Sequence, residues 1–433
     1  MALFSSKNDE SLTDLDTQKM GSDKVSTSVD ARVLISQLKL IASDPSVLKG
    51  LENGERLQLK QVARSAADAL ETPFETMVRI AYSLSFSVVC KIKLTQYFKP
   101  LLLVTARIGQ DHGIFAKLCA TAGPVSLGEL LTTSKIPSDT LDSVMDSICA
   151  RGMAARVEAQ AFAATPLTHL LSSPELRAAH THYHDSVLPG LVKLKEFLHY
   201  PHGPRTAWQM GHDTDLSYYA WLDGHPVQKD AFHIYMEAHV IGLPTWLDVL
   251  DFEKELAAGA RAEDVIFVDV GGSNGQQCAA LRKQYPRLLG RVILQDRPAV
   301  LESALEVQGM EKMGYDYLME QPVKGSRVFY FRQILHNNDD ETCKKILRAQ
   351  LSAMDCNTVL VIDDKVLPDR DQLTDSMDSE YQASLSLVMR ALFNSQERRE
   401  AHWRRLVEEA GLVVKDIRKY TEWDDAVVLC VKQ

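Results

Sequence analysis

A glycine turn flanked by two carboxylates, and one histidine placed after a strand, are the residues of this chain best suited to chemistry. Val265-Ile-Phe-Val-Asp-Val270 reads as a buried strand, with five apolar residues, four of them β-branched. Asp269 stands near its end. Gly271, Gly272 and Gly275 follow, so the chain can turn sharply and a ligand can touch bare backbone. Gln276 to Gln284 then carries apolar residues at helical spacing. Strand, glycine turn and helix open a nucleotide-binding α/β unit. The turn is not G-x-G-x-x-G, and no Lys-Ser/Thr follows as in a P-loop. A second strand, Arg291 to Gln295, runs into Asp296, about twenty residues past the glycines, where an acid can hold two ribose hydroxyls and repel a 2′-phosphate.

Carboxylates on both sides of the turn suit a nucleoside with a cationic amino-acid tail better than a pyrophosphate. S-adenosylmethionine is such a ligand; an ordinary strand-to-helix turn is the plain alternative. A further strand, Arg327 to Phe331, leads through Arg332-Gln-Ile-Leu to His336, after which Asn337 to Glu341 cap a helix from Thr342 to Met354. His336 thus lies past a strand's carboxyl end, on the ligand-binding edge of an open α/β sheet. A neutral imidazole there can take a proton from a phenol or an enol. A capping or core histidine is the simpler reading when nothing else converges.

These residues need a scaffold, and 433 residues are enough for two or three domains. A hydrophobic share of 45% with 24% charged residues is ordinary for a soluble globular chain. A net charge of −10 argues against a nucleic-acid partner. No run of 18 apolar residues and no signal-like start argue against a membrane, so a cytoplasmic location is expected. The seven cysteines lack C-x-x-C spacing and read as reduced thiols.

Residues 1–28 read as a disordered tail. Helical spacing recurs over 29–110, including a helix begun by Thr72-Pro73. Residues 111–170 give three helices, the third capped by Ser138, and then two short β pieces at 154–157 and 161–163: a winged-helix pattern. Its third helix and cap carry Asp139, Asp142 and Asp146 against Arg151 alone, which excludes phosphate neutralisation and favours dimerisation or a lid. Residues 171–258 are helical and rich in aromatics, a wall for a flat substrate or plain core. From 259 to 433 strands alternate with helices, at 265–270, 291–295, 327–331, 358–362 and 427–432, giving a mostly parallel sheet.

From about residue 66 to 430 the chain resembles the plant-type and fungal O-methyltransferases that use S-adenosylmethionine. The resemblance is carried by Leu70-Glu-Thr-Pro-Phe-Glu-Thr76, the winged-helix segment, Thr165-Pro-Leu-Thr168, Val268-Asp-Val-Gly-Gly272, Leu294-Gln-Asp296, Gln321 through His336, Val361 through Pro368, and Gln396 through Trp403. It implies an α/β protein: a Rossmann-like methyltransferase sheet at the C-terminus, preceded by a mainly helical winged-helix dimerisation domain, working as a homodimer. It implies that Gly271 and Gly272 lie against the methionine moiety, that Asp296 binds ribose, that Asp316 lies near the adenine amino group and Arg332 near the cofactor. Asp269, Arg297 and Tyr317 are counted with them as cofactor-binding candidates. It further implies His336 as general base, flanked by Asp364 and Glu397, which hold its ring. Asn337 stands where the family usually has aspartate, Asn338 where it often has tryptophan, and Ser273 where it has a third small residue.

The segment Ala179-His-Thr-His-Tyr-His-Asp185 offers no clear third ligand, so no metal is expected. His182, His184, Asn337 and Met389 are the substrate-site candidates. The expected activity is O-methylation of an aromatic or polyketide-like secondary metabolite, a small molecule. The alternative is a dehydratase or pericyclase that keeps the cofactor and transfers no methyl group. A non-catalytic winged-helix regulator is the third reading, disfavoured by the acidic helix.

Overall fold

After Val265 the apolar runs assemble into one eight-stranded sheet. The computed structural model describes residues 30–43, 45–70, 100–200, 203–240, 243–372, 377–421 and 423–433. The strands are β4 (Val265–Val270), β5 (Arg291–Asp296), β6 (Met310–Gly314), β7 (Val328–Arg332), β8 (Val359–Leu367), β9 (Arg398–Arg399), β10 (Leu412–Lys419) and β11 (Asp425–Lys432). Their order is β10-β11-β8-β7-β4-β5-β6, with β9 beside β8. Pairs among β4 to β9 are parallel, while β11 runs antiparallel to both β8 and β10. The chain starts at β4, steps outward to β5 and β6, then crosses back to β7 on the other side of β4. That reversal is a topological switch point, where open α/β sheets bind ligands beyond their carboxyl ends. The glycine turn leaves β4 there, and the turn bearing His336 leaves β7.

The core strands are continuous apolar runs because helices cover both faces. Val268, Phe329, Leu360 and Val428 pack on one side against Ile346, Trp403 and Leu406. Phe267, Val292 and Tyr330 pack on the other against Trp246, Phe252 and Leu281. Four of the strands read from sequence sit within two residues of those observed, while the one expected at 358–362 runs on to Leu367, because Asp363, Asp364 and Lys365 interrupt its apolar run. Three were not read: β6 and β10, both at sheet edges, and the two-residue β9.

Ahead of the sheet, helices Ile114–Ala120, Leu127–Ser134 and Ser138–Ala150 precede a hairpin of β2 (Ala155–Glu158) and β3 (Ala161–Ala163). The two-residue strand β1 (Val125–Ser126) adds to β3, giving the order β1-β3-β2. Ser126 and Glu129 form a capping box, as do Thr165 and Thr168. Ser138 is not the cap expected of it. It is the first residue of its helix, Pro137 occupies the cap position, and no side chain closes the end. Leu118, Leu130, Met145 and Phe162 share a core that continues through Trp208 and Tyr235 into the helix Met377–Phe393, which enters with Val388, Met389 and Leu392.

The chain divides into two compact units, Met1–Leu70 and Glu71–Gln433. In the first, helices Ala31–Ser43 and Asn53–Leu70 are joined by a 3₁₀ turn, Pro45–Leu48. Asp30 caps the first helix by accepting from the Arg32 N–H at 2.9 Å. The expected tail 1–28 and the helix begun by Thr72-Pro73 lie outside the described residues. Among the described residues, no helix is long and apolar enough to cross a membrane.

Candidate active site

The glycine turn needs its glycines for two separate reasons. Gly271, Ser273 and Gly275 all have positive φ, of 69°, 54° and 85°, a conformation that costs little only without a Cβ. Gly272 is needed for space instead, since a Cβ there would collide with the Asp269 carboxyl group. A Cβ on Gly271 would stand 2.7 Å from the Ile334 side chain. The turn is therefore a bare-backbone cradle. Asp269 lies at its floor, fully buried. Its Oδ2 receives only the Cys278 thiol at 3.7 Å, and its Oδ1 has no partner. Burial pushes the Asp269 pKa up to about 7.

Asp296 closes the other side of the turn. It accepts from the Ser273 N–H at 2.9 Å and the Arg297 N–H at 2.7 Å. Burial raises its pKa and these two donors oppose the rise. Arg297 is exposed and 3.9 Å from Asp223. Asp316 is exposed and accepts from the Leu318 N–H at 3.0 Å. Tyr317 lies beside it, its pKa raised by burial. Arg332, last in β7, donates to Asp363 at 2.5 Å and to the Tyr420 hydroxyl at 3.2 Å.

His336 sits in a one-turn 3₁₀ helix, Leu335–Asn337. Its Nδ1 is 2.9 Å from Glu397 Oε1 and 3.9 Å from Asp364 Oδ1. A carboxylate only accepts, so Nδ1 carries the proton and Nε2 is left with its lone pair. Burial alone would lower the imidazole pKa. The charges of Glu397 and Asp364 outweigh it, and the net shift is upward. Asp364 is buried with neither oxygen hydrogen-bonded, and burial pushes its pKa up to about 7.

The structure thus brings His336, Asp364 and Glu397 together. Of the substrate-site candidates, Asn337 donates to the Tyr219 hydroxyl at 3.1 Å. His182 is buried in an aromatic cluster, stacked on Tyr235 at 5.1 Å with its Nδ1 3.3 Å from the Tyr218 hydroxyl. Burial lowers its pKa to about 3, which keeps it neutral. His184 pairs with Asp185, which also binds Arg107. The three histidines do not keep regular helical spacing, because His182–Val187 winds as a π-helix. Met389 is buried in the helical core. Among the described residues, no three His, Cys, Asp or Glu side chains are grouped to hold a metal.

Three residues of this site were not singled out from the sequence. Asp363 is buried and takes hydrogen bonds from Arg332, Tyr330 and Tyr420. Arg398 is buried and donates to Leu335 O at 2.8 Å, Asn338 O at 2.7 Å and Asp340 Oδ1 at 3.0 Å, so it clamps both ends of the His336 turn. Tyr219 is 36% exposed although its ring packs against Tyr218, Phe232 and Phe393.

A bare-backbone turn and a buried carboxylate–imidazole pair thus stand at the carboxyl ends of neighbouring strands β4 and β7. Residues 258–413 match the family model of the O-methyltransferase domain. The 16-O-methyltransferase bsc6 of Alternaria brassicicola is 29% identical, over 93% of this chain and 97% of that protein. The O-methyltransferase lepI of Aspergillus flavus is 30% identical, over 84% of this chain and 91% of that one. A solved structure described as a pericyclic reaction enzyme superposes with a TM-score of 0.69 at 26% identity, covering 93% of this chain and 100% of its own. The chain belongs to the S-adenosylmethionine-dependent O-methyltransferases.

Proposed function

We propose that this protein is an O-methyltransferase acting on an aromatic or polyketide-like secondary metabolite, with His336 as general base. The observation that carries this reading is the His336–Glu397 pair at 2.9 Å, because it leaves Nε2 unprotonated at the ligand-binding edge of the sheet. When bound, S-adenosylmethionine supplies an electrophilic methyl group on a sulfonium. The residues present fit it. Gly271 and Gly272 offer bare backbone to the methionine part, and the unpartnered Oδ1 of Asp269 offers a carboxylate to a cationic tail. Asp296 keeps lone pairs for ribose hydroxyls while bracing the turn. Asp316, Tyr317 and Arg297 are assigned to the nucleoside side, and Arg332 to a fixed positive charge held by Asp363.

His336 Nε2 takes the proton from the acceptor hydroxyl as the oxygen attacks. Glu397 holds the ring through Nδ1 and stabilises the imidazolium that forms. Asp364, 3.9 Å away, adds negative potential without a hydrogen bond. Proximity and orientation of the two reactants supply much of the rate. His182, Asn337 and Met389 belong to the acceptor side in this reading. His184, tied to the part-buried Asp185–Arg107 ion pair, is the weakest of the four candidates.

The second reading is a pericyclase or dehydratase that keeps the cofactor as an electrostatic catalyst. It is favoured by the likeness to a pericyclic reaction enzyme. The retained imidazole–carboxylate pair favours methyl transfer. Release of S-adenosylhomocysteine in step with product separates the two. We also propose that the protein is a homodimer whose helical N-terminal parts and winged-helix segment interlock between subunits. The exposed Val33, Leu34, Ile35, Leu38 and Leu40 on helix Ala31–Ser43 support it.

A further inference from the structure

Two hydrogen bonds made by one nitrogen determine what Tyr219 can do. Asn337 Nδ2 lies 2.9 Å from the backbone carbonyl oxygen of Gln333 and 3.1 Å from the hydroxyl oxygen of Tyr219. A carbonyl oxygen can only accept, so the side-chain atom facing Gln333 is the NH₂ group and not the amide oxygen. An amide NH₂ has no lone pair to offer. The Tyr219 hydroxyl must therefore be the acceptor in the second bond, and its own proton points elsewhere.

That proton has a direction and a place. Tyr219 follows Ser217, the cap of the helix Tyr218–Asp223, and its ring is held flat against Phe393 at 5.8 Å with an interplanar angle of 20°. Tyr218 and Phe232 meet it edge-on at 5.4 Å and 6.1 Å. A tyrosine phenol titrates at about 10, so it stays protonated at working pH. Part of the residue is open, at 36% exposure. Its partner Asn337 is the next residue after His336, whose Nδ1 is committed to Glu397. One hydroxyl donor and one imidazole acceptor are thus linked through the adjacent residue Asn337, beside the rings of Phe393, Tyr218 and Phe232.

We infer that Tyr219 donates a hydrogen bond to a second oxygen of the acceptor molecule, adjacent to the hydroxyl that His336 deprotonates. This rests on the methyltransferase reading of the site. It makes Tyr219 a specificity-determining residue and defines the acceptor class. The acceptor carries a hydroxyl next to a carbonyl or similar hydrogen-bond-accepting oxygen on a flat ring, as in a hydroxyaryl ketone. Asn337 sets the direction of the phenol proton. An aspartate at 337 could not donate to Gln333 O and would itself take the Tyr219 proton.

The test uses the full-length protein, saturated with S-adenosylhomocysteine, and two probes of closely similar shape: 2′-hydroxyacetophenone and 2-isopropenylphenol, in which a CH₂ group replaces the carbonyl oxygen. Binding of each is followed by calorimetry in wild type, Tyr219→Phe and Asn337→Asp. Wild type should prefer the hydroxyketone by about 3- to 10-fold, the value of one neutral hydrogen bond. Both variants should lose that preference and keep wild-type affinity for S-adenosylhomocysteine. A preference that survives Tyr219→Phe overturns the inference, and so does a wild type that binds both probes alike. Weakened S-adenosylhomocysteine binding in Tyr219→Phe also overturns it, by assigning the phenol to the cofactor. Failure of the wild type to bind S-adenosylhomocysteine at all would instead remove the methyltransferase reading. Unchanged circular dichroism and melting temperature in Asn337→Asp separate lost donation from a misfolded turn.

Discussion

Replacing Glu397 by glutamine probes the acid–base pair without emptying space. Glutamine has nearly the same shape, and its amide oxygen can still accept from His336 Nδ1, so the ring should keep its place. What is lost is a negative charge 2.9 Å from the imidazole, on a side chain with no solvent exposure to replace it. A hydrogen bond to a charged group is worth about 1.5–3 kcal/mol. Its loss bears on the transition state, where the imidazolium forms. The turnover rate should therefore fall by about 10- to 150-fold. The direction of the pH effect follows from the charges. Glu397 is the foremost influence raising the His336 pKa, so removing its charge lets burial dominate and the pKa falls. The activity limb, which rises with pH as His336 loses its proton, should move to lower pH in the variant. Histidine-labelled NMR titration reads the same shift without needing the acceptor. A limb that stays in place, or moves to higher pH, would refute the argument. So would a turnover rate within about 2-fold of wild type.

Other outcomes follow from the same geometry. Asp296→Ala removes the acceptor for two backbone N–H groups as well as for ribose, and should weaken S-adenosylmethionine binding by about 1.5–3 kcal/mol; unchanged affinity by calorimetry would cancel its assignment. Asp269 is pushed to about 7 by burial and must ionise to receive a cation, so cofactor affinity should drop by about tenfold per pH unit below that value. Asp269→Asn should bind more weakly and show no such slope; a sloped Asn variant would rule Asp269 out as its source. By light scattering at micromolar concentration the intact chain should have twice the monomer mass, through an apolar interface of more than about 2,000 Å²; a monomer would end the dimer proposal.

Much of the sheet was legible because its inner strands are covered on both sides and read as unbroken apolar runs. Edge strand β6 was not, since Met310–Gly314 carries Glu311 and Lys312 facing solvent and has no apolar run to detect. Strand β10 shows the same weakness at the opposite edge. The pair Asp363-Asp364 was readable in principle. Neighbouring residues in a strand point to opposite faces, so one acid had to leave the His336 side. Register puts Asp363 beside Arg332, and its carboxylate takes hydrogen bonds from Arg332, Tyr330 and Tyr420. Arg398 lay in plain view between Glu397 and Trp403, but its partners Leu335, Asn338 and Asp340 are about sixty residues away in sequence, and only folding brings them within reach. Tyr219 was one aromatic among many in its segment. Its hydrogen bond with Asn337 appears only when the helix Tyr218–Asp223 meets the turn after β7.

The most direct test of methyl transfer by His336 pairs two readouts on one reaction mixture. Purified wild type and His336→Ala are supplied with S-adenosylmethionine carrying a tritiated methyl group and a panel of hydroxyaryl ketones. Labelled product is counted, and the unlabelled S-adenosylhomocysteine is quantified in the same mixture by chromatography. The account predicts one S-adenosylhomocysteine per O-methylated product in wild type. It predicts a fall of about 10²–10⁴ in rate for His336→Ala, with cofactor affinity unchanged. Equal rates in the two proteins, or an altered acceptor with no S-adenosylhomocysteine released, would contradict it.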